Sequence, residues 1–318
     1  MCTGGDQPDA ASSLPLRCLT IDVEDYYHIE AARGAVGCDQ WDSMPARIEQ
    51  STDVLLQLFD KCARKGTFFV LGDVSRRFPQ LARRIADAGH EIASHGSGHE
   101  RLHRLDAESL LADLKEGKQR LEDQTGQAVI GYCAPTFSIT TSTSWAVDVL
   151  VEAGFTYDTS VFPVVHPSYG VQKAPARPYH LQGRPGGAEI LEIPPLTWRV
   201  LGRNIAVAGG GYFRLLPLWF MNRGLEQAAS QGRPAVLYFH PWEFDPAMPR
   251  LPLSPTGRIR TYTGLKSAAG RLERIMRQPA QWSTIADALH TLRIQADATE
   301  RFCLSGQNPA DGSTETDS

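Results

Sequence analysis

Between residues 16 and 160 the apolar positions switch period in regular alternation. Short runs rich in β-branched and aromatic residues give way to longer stretches in which apolar residues recur every three or four positions. "LRCLTIDV" (16–23) is an apolar run that ends on an acidic cluster, the pattern of a buried strand finishing at a polar surface. Residues 46–64 follow, with Ile48, Leu55, Leu58, Phe59 and Cys62 at helical spacing and Gly66 as the stop. "TFFVLG" reads as the second strand. Pro79 opens a helix with Leu81, Ile85 and Ala88 on its apolar face, and "HEIAS" reads as the third strand. Asp106 is the expected cap of a helix that carries Leu110, Leu114 and Leu121 and ends at Gly126. "AVIGYCAP", a helix over 142–153 and "FTYDTS" continue the alternation. Beyond them come "AEILEIP", "NIAVAG", a helix near 216–230 and the strand "PAVLYFH". The last predicted helix lies near 264–277, and "WSTIADAL" reads as a short strand with a turn of helix.

Strands separated by single helices imply right-handed βαβ units and a parallel sheet. The acidic cluster at 22–25, the pair His95 and His99, "APT" (134–136) and His240 each stand just past the C-terminal end of a predicted strand. In a closed parallel barrel that is the face on which active sites are built. Both chain ends are small and polar, so disorder is expected over 1–14 and 301–318, leaving one domain over 15–300.

Composition adds exclusions more than assignments. The 318 residues are 42% hydrophobic and 21% charged, with a net charge of −4 and scattered Lys and Arg, which argues against nucleic acid as a partner. The N-terminal sequence lacks the basic and apolar regions of a secretory signal, and no apolar run reaches the roughly 18 residues of a membrane span. The six cysteines form no CxxC and read as free thiols of a reducing compartment, so a cytoplasmic location is expected.

His95 and His99 stand four apart with Gly96 and Gly98 between them. Two imidazoles at that spacing can reach one cation, or they can be loop residues bonded to backbone. Asp22, Glu24 and Asp25 crowd three carboxylates into four positions. Strand alternation points Asp22 and Glu24 to one side, so one can hold a cation while the other acts as a base. His240 precedes Pro241 at the end of its strand; it is a candidate proton donor or a satisfied core histidine. In "GGGY" (209–212) three glycines can let the backbone approach a sugar, with Tyr212 and Phe213 stacking on it, or can form only a flexible turn. Trp198, Trp242 and Tyr238 are aromatic candidates for a cleft wall.

In order and spacing, "TIDVED", "SHGSGH", "APTFSIT" and "YFHPWE" resemble the motifs of the polysaccharide deacetylases of carbohydrate esterase family 4, the NodB homology domain. Over about residues 16–285 the chain looks most like the branch found with exosortase (PEP-CTERM) and exopolysaccharide loci. The resemblance implies an α/β fold, an irregular TIM-like (β/α) barrel with fewer than eight strands. It implies metal-dependent removal of N-acetyl groups from amino sugars of a bacterial exopolysaccharide or its precursor, so the implied partner is an N-acetylated oligo- or polysaccharide. The implied cofactor is a divalent metal, zinc first, with cobalt or nickel as alternatives.

Position by position, the resemblance makes Asp22 the base, His240 the acid and the Thr136 N–H an oxyanion donor. Glu24, His95 and His99 become the metal ligands, with Asp25 as the fallback carboxylate; Tyr212 and Trp242 become substrate contacts. Relatives read "GYRAP" where this chain has "GYCAP", so Cys133 replaces the arginine that pairs with the catalytic aspartate. A thiol supplies no fixed positive fork, and the pKa of Asp22 is expected to rise. Three consequences compete: a catalytically impaired sugar-binding homologue, replacement of the arginine by Arg101 or Arg104, or a thiol that reaches the metal. An amide hydrolase of allantoinase type is the other enzymatic reading.

Overall fold

All eight residues of the first strand, β1 (Leu16–Val23), are buried. Strand β10 (Ala235–Phe239) lies on one side of it and β2 (Thr67–Val70) on the other, both parallel. No face of these strands meets solvent, which is why their sequences are mostly apolar, with Arg17, Thr20 and Asp22 buried in β1. The computed structural model describes residues 14–166 and 168–306.

From β1 the chain runs through α1 (Ile48–Lys61), β2, α2 (Gly72–Arg77), α3 (Pro79–Asp87) and β3 (Glu91–Ser94). It continues through α4 (Ala107–Thr125), β4 (Gly131–Tyr132), α5 (Ala146–Glu152) and β5 (Tyr157–Asp158). Strands β6 (Tyr179–Gln182) and β7 (Glu189–Glu192) form an antiparallel pair, and β8 (Thr197–Val200) and β9 (Arg203–Ala206) form a separate hairpin. Helices α6 (Gly210–Leu215) and α7 (Leu218–Ser230) lead to β10, followed by α8 (Pro255–Tyr262) and α9 (Leu265–Met276). Strand β11 (Gln281–Ser283), helix α10 (Ile285–Asp297) and strand β12 (Phe302–Cys303) complete the described chain.

The main sheet has ten strands in the order β10-β1-β2-β3-β4-β5-β7-β6-β12, with β11 beside the start of β1. The result is a distorted α/β arrangement, a mainly parallel sheet with helices between its strands. Ten strands in one sheet exceed the expected number below eight. The excess comes from β11 at the start of β1 and from β6 and β12 outside β7. Among the described residues no ladder joins β7 to β10. One hydrogen bond spans that gap, from the Leu196 N–H to the Val236 carbonyl at 2.9 Å.

The expected helix signals operate as chemistry. The Asp106 carboxylate accepts from the Ser109 N–H at 2.8 Å, and Gly126 ends α4 in the left-handed region at φ 70°. Helix α10 runs well beyond the single turn expected after residue 283. Thr284 caps it, and Ile285, Ala288, Leu292 and Ala296 form its buried stripe. The folded unit also extends past residue 300: β12 pairs with β6, and Leu304 is fully buried, so residues 302–304 belong to the fold and not to the tail expected from 301. The disorder expected for residues 1–13 and 307–318 lies outside the described residues.

The glycine triplet packs the backbone. Gly209 bridges Tyr238 on β10, and a Cβ at that position would lie 1.7 Å from the Tyr238 carbonyl oxygen. Backbone meets backbone there, so the neighbour cannot swing aside. Gly209→Ala is expected to lower the unfolding free energy by about 1–3 kcal/mol through overpacking. A lower urea midpoint at unchanged slope is the result to look for.

Candidate active site

Sheet register, more than any single motif, assembles the site. Ile21 pairs with Phe239, so Asp22, still paired with Phe69 inside β1, stands level with His240, the first residue past β10. Val70 pairs with Ser94 and Ser94 with Tyr132, so His95 and Cys133 emerge beside them. All four line or floor one rim, and a cleft of about 450 Å³ opens there. Asp22, Glu24, His95, His99, Thr136, His240 and Trp242 all line it.

Glu24 reaches the site by a turn. β1 ends at Val23, and the Glu24 N–H bonds back to the Asp22 carbonyl at 2.9 Å, which folds the two carboxylates toward each other. The Glu24 Oε2 lies 2.6 Å from His99 Nε2, and its Oε1 accepts from the Trp242 indole N–H at 3.1 Å. His95 donates its Nδ1–H to the Cys133 carbonyl at 2.7 Å, because a carbonyl can only accept. That bond fixes the tautomer and leaves Nε2 as the lone-pair nitrogen. Ligand atoms of Glu24, His95 and His99 lie within 4.8 Å of one another, all buried.

These residues fit a divalent cation. Although His99 Nε2 and Glu24 Oε2 are close, they are not aligned as a hydrogen bond, and Glu24 Oε2 is a buried acceptor with no donor. Two imidazoles and a carboxylate with open positions beside them form the donor set of a catalytic rather than a structural site. Asp25, the fallback ligand, is engaged elsewhere. Its carboxylate accepts from the N–H groups of Tyr26, Arg47 and Ile48 and so anchors the start of α1.

Charge is distributed unevenly over the floor. Burial lifts the Asp22 carboxyl to about 7; Glu24 and Glu243 push the same way, against His240 and His99. For Glu24, burial is outweighed by the facing His99, with His240 and His95 behind it, and the carboxyl is held well below the usual range. Burial, together with His99, pushes His95 down to about 3, so it is neutral, as a ligand must be. Burial would lower His240 too, but the bond to Glu243 and the charges of Glu24, Glu243 and Asp22 win and raise it to about 9.

The sequence reading missed the support behind His240. Its Nδ1 lies 2.6 Å from Glu243 Oε1, and Glu243 Oε2 accepts from Arg214 Nε at 2.7 Å. The Arg214 guanidinium is pinned by the carbonyls of Arg260, Thr261 and Thr263 and lies over the Trp242 ring. This relay leaves His240 Nε2 facing Asp22 at 3.6 Å and Glu24 at 3.7 Å. The signal for Glu243 was present: it stands three residues after His240, the spacing of a capping box, and its carboxylate also accepts the His240 N–H. No sequence signal tied Arg214 to residues 29 positions away.

Other expected residues fall differently. Thr136 lines the cleft in a left-handed turn at φ 59°, and Tyr238 lines it as well. Tyr212 is absent from the wall, which Gly210 and Gly211 form instead. Trp198 packs against Trp219 and Phe220, away from the cleft. Arg101 and Arg104 turn outward to Glu30, and Arg101 also to the Ser168 carbonyl, so neither pairs with Asp22. Cys133 is buried, and its Sγ lies with Asp22 and His95 in a second ligand-like group.

An α/β fold whose cleft gathers a buried carboxylate–imidazole cluster offers a plausible site for a divalent cation. Known proteins narrow this further. Residues 40–157 match the family model described as "Polysaccharide deacetylase", and residues 159–290 match "Domain of unknown function (DUF3473)". The peptidoglycan deacetylase of Helicobacter pylori is 34% identical over 107 residues, 34% of this chain and 36% of that protein. The chitooligosaccharide deacetylase of Rhizobium leguminosarum bv. trifolii is 34% identical over 86 residues, 26% of this chain and 36% of that protein. The chain thus spans about a third of the length of these curated relatives. In fold it is similar to a crystal structure from Mycobacterium smegmatis assigned to the polysaccharide deacetylases, with TM-score 0.59 and 23% identity over 92% of this chain and 94% of that one. PuuE allantoinase is also similar, with TM-score 0.56 and 16% identity over 91% and 93%. The chain carries homology to the NodB-type polysaccharide deacetylases.

Two measurements test this geometry. Glu24→Ala should abolish uptake of one equivalent of zinc in calorimetric titration. Asp25→Ala should keep that stoichiometry and instead cost about 1–3 kcal/mol of stability from the N–H groups it strands. In the metal-free protein, the raised pKa values of Asp22 and His240 mean that the folded state holds extra protons. Stability from Asp22 is therefore full below the unfolded carboxyl range and lost as pH rises through about 7; that from His240 is lost through about 9. The melting temperature with chelator present should fall over this window, and Asp22→Asn should remove its lower step.

Proposed function

We propose that this protein is a metal-dependent deacetylase that hydrolyses the N-acetyl groups of amino sugars in a bacterial exopolysaccharide or its precursor. The observation that carries the reading is the convergence of Glu24, His95 and His99 with Asp22 and His240 in one cleft. A divalent cation held by those three ligands would supply Lewis-acid polarisation of the acetamide carbonyl and a lowered pKa for water. Asp22, lifted to about 7 by burial, accepts the proton of the attacking water. His240 is protonated at neutral pH and gives its Nε2 proton to the leaving amine as the C–N bond breaks. Glu243 holds the ring in that orientation through Nδ1. The Thr136 N–H faces the developing oxyanion. Water's oxygen ends in acetate, and the sugar keeps a free amine.

Support for an amino-sugar substrate comes from the two relatives, described as deacetylases of peptidoglycan and chitooligosaccharide. The exopolysaccharide assignment, zinc as the metal and a cytoplasmic setting rest on the sequence motifs and composition. Free thiols at Cys18, Cys38, Cys62, Cys133 and Cys303 accord with a reducing compartment. Cys133 is the observation that favours the second reading, an impaired sugar-binding homologue.

Acetate release from N-acetylated oligosaccharides, with zinc or cobalt added, separates the readings. The wild type should release acetate, and His240→Ala should slow turnover by about 10²–10⁴-fold. Activity only in Cys133→Arg would establish the impaired homologue, and hydrolysis of allantoin alone would reassign the substrate.

A further inference from the structure

Behind the cleft the register of β5 and β7 sets Asp158 beside Glu192, and both side chains are completely buried. Asp158 is well supplied with donors: Ser160 Oγ–H at 2.5 Å and Ser160 N–H at 3.2 Å. Glu192 accepts from the Val161 N–H at 3.0 Å through Oε1, but its Oε2 is buried without any donor. The groups facing the pair are Cys133 and Tyr132 on the β4 side, Tyr179 of β6 and, across the thiol, Asp22 of β1. None is a cation, and no Lys, Arg or His among the described residues forms an ion pair with either carboxylate. Two adjacent buried carboxylates without a counter-ion cannot both remain ionised.

We propose that Asp158 and Glu192 share one proton, carried by the orphan Glu192 Oε2. The half-neutralised pair positions the Ala134–Thr136 turn and lets a neutral thiol fill the space between it and Asp22. The connection is a chain of hydrogen bonds. Glu192 donates to Asp158, Asp158 accepts from the Ser160 hydroxyl, and that hydroxyl accepts from the Ala134 N–H at 2.7 Å. A hydroxyl that must donate to Asp158 has its lone pairs fixed toward Ala134, so each bond orients the next. The turn it holds contains Thr136 and Phe137 in the left-handed region, at φ 59° and 51°, a strained conformation that needs fixed anchors. Burial raises Asp158 to about 6 and lifts Glu192 well above its ordinary value, in the same direction. Asp158, Glu192 and Ser160 are thus positioning residues, and the inference stands apart from the identity of the substrate.

Infrared difference spectroscopy on the full chain at neutral pH tests this directly. The wild type should show the C=O stretch of a protonated carboxyl that disappears in Glu192→Gln. Asp158→Asn should lose it as well, because the amide then donates to an ionised Glu192. In an Asp22→Asn background, which removes the cleft carboxyl lifted to about 7, Cys133→Arg should also lose it, because a guanidinium at that position ionises both acids. A protonated-carboxyl region that is unchanged in Glu192→Gln overturns the proposal. Should that variant fail to fold, the same unchanged region on adding Cys133→Arg to Asp22→Asn overturns it.

Discussion

The in-register pairing of β1 with β10 and β2 is the constraint on which the rest of the molecule depends. A strand buried on both faces tolerates few charges along its length, and in β1 the carboxylate of Asp22 comes one residue before the strand ends, where it reaches the cleft. With Ile21 opposite Phe239 and Phe68, β10 ends level with Ile21 while β1 and β2 run two residues further, and Asp22, Glu24 and His240 come to one rim. Shifting β10 by a single residue would turn His240 away from Asp22 and strand Glu243 and Arg214 behind it.

That rim concentrates titratable groups in a place with little water, and the fold manages the cost by separate local means. Arg214 neutralises Glu243, and Glu243 in turn orients and charges His240. Backbone N–H groups satisfy Asp25. Glu24 faces His99 in an arrangement suited to a cation. Among the described residues the acid pair at Asp158 and Glu192 has no cation partner, and a shared proton is the remaining way to reduce its charge. Cys133 belongs to this economy: beside a pair that has already given up one charge, a buried neutral thiol adds no further charge.

Much of the chemistry was legible because it is local. His95 and His99, Asp22 and Glu24, Thr136 and His240 are brought together as their motifs indicate, each beside a strand end that the hydrophobic period had already located. The choice between Glu24 and Asp25 was not local. It turned on the N-terminus of α1, more than twenty residues along the chain, taking the Asp25 carboxylate. Trp198 packs on Trp219 and Phe220 because an aromatic residue at a strand end has the same sequence signature in a cleft wall as in packing elsewhere, while Tyr212 stays partly exposed outside the wall.

The sequence alone therefore determined the element types, the strand ends and the identities of the groups gathered there. Those follow from period, capping and short-range spacing, whose physics acts within a few residues. Only the tertiary structure decided which of those groups meet, the relay from Arg214 through Glu243 to His240, and the pairing of Asp158 with Glu192. These depend on sheet register and on the burial of charge. Both are set by packing between segments far apart in the chain, where no local pattern carries the information.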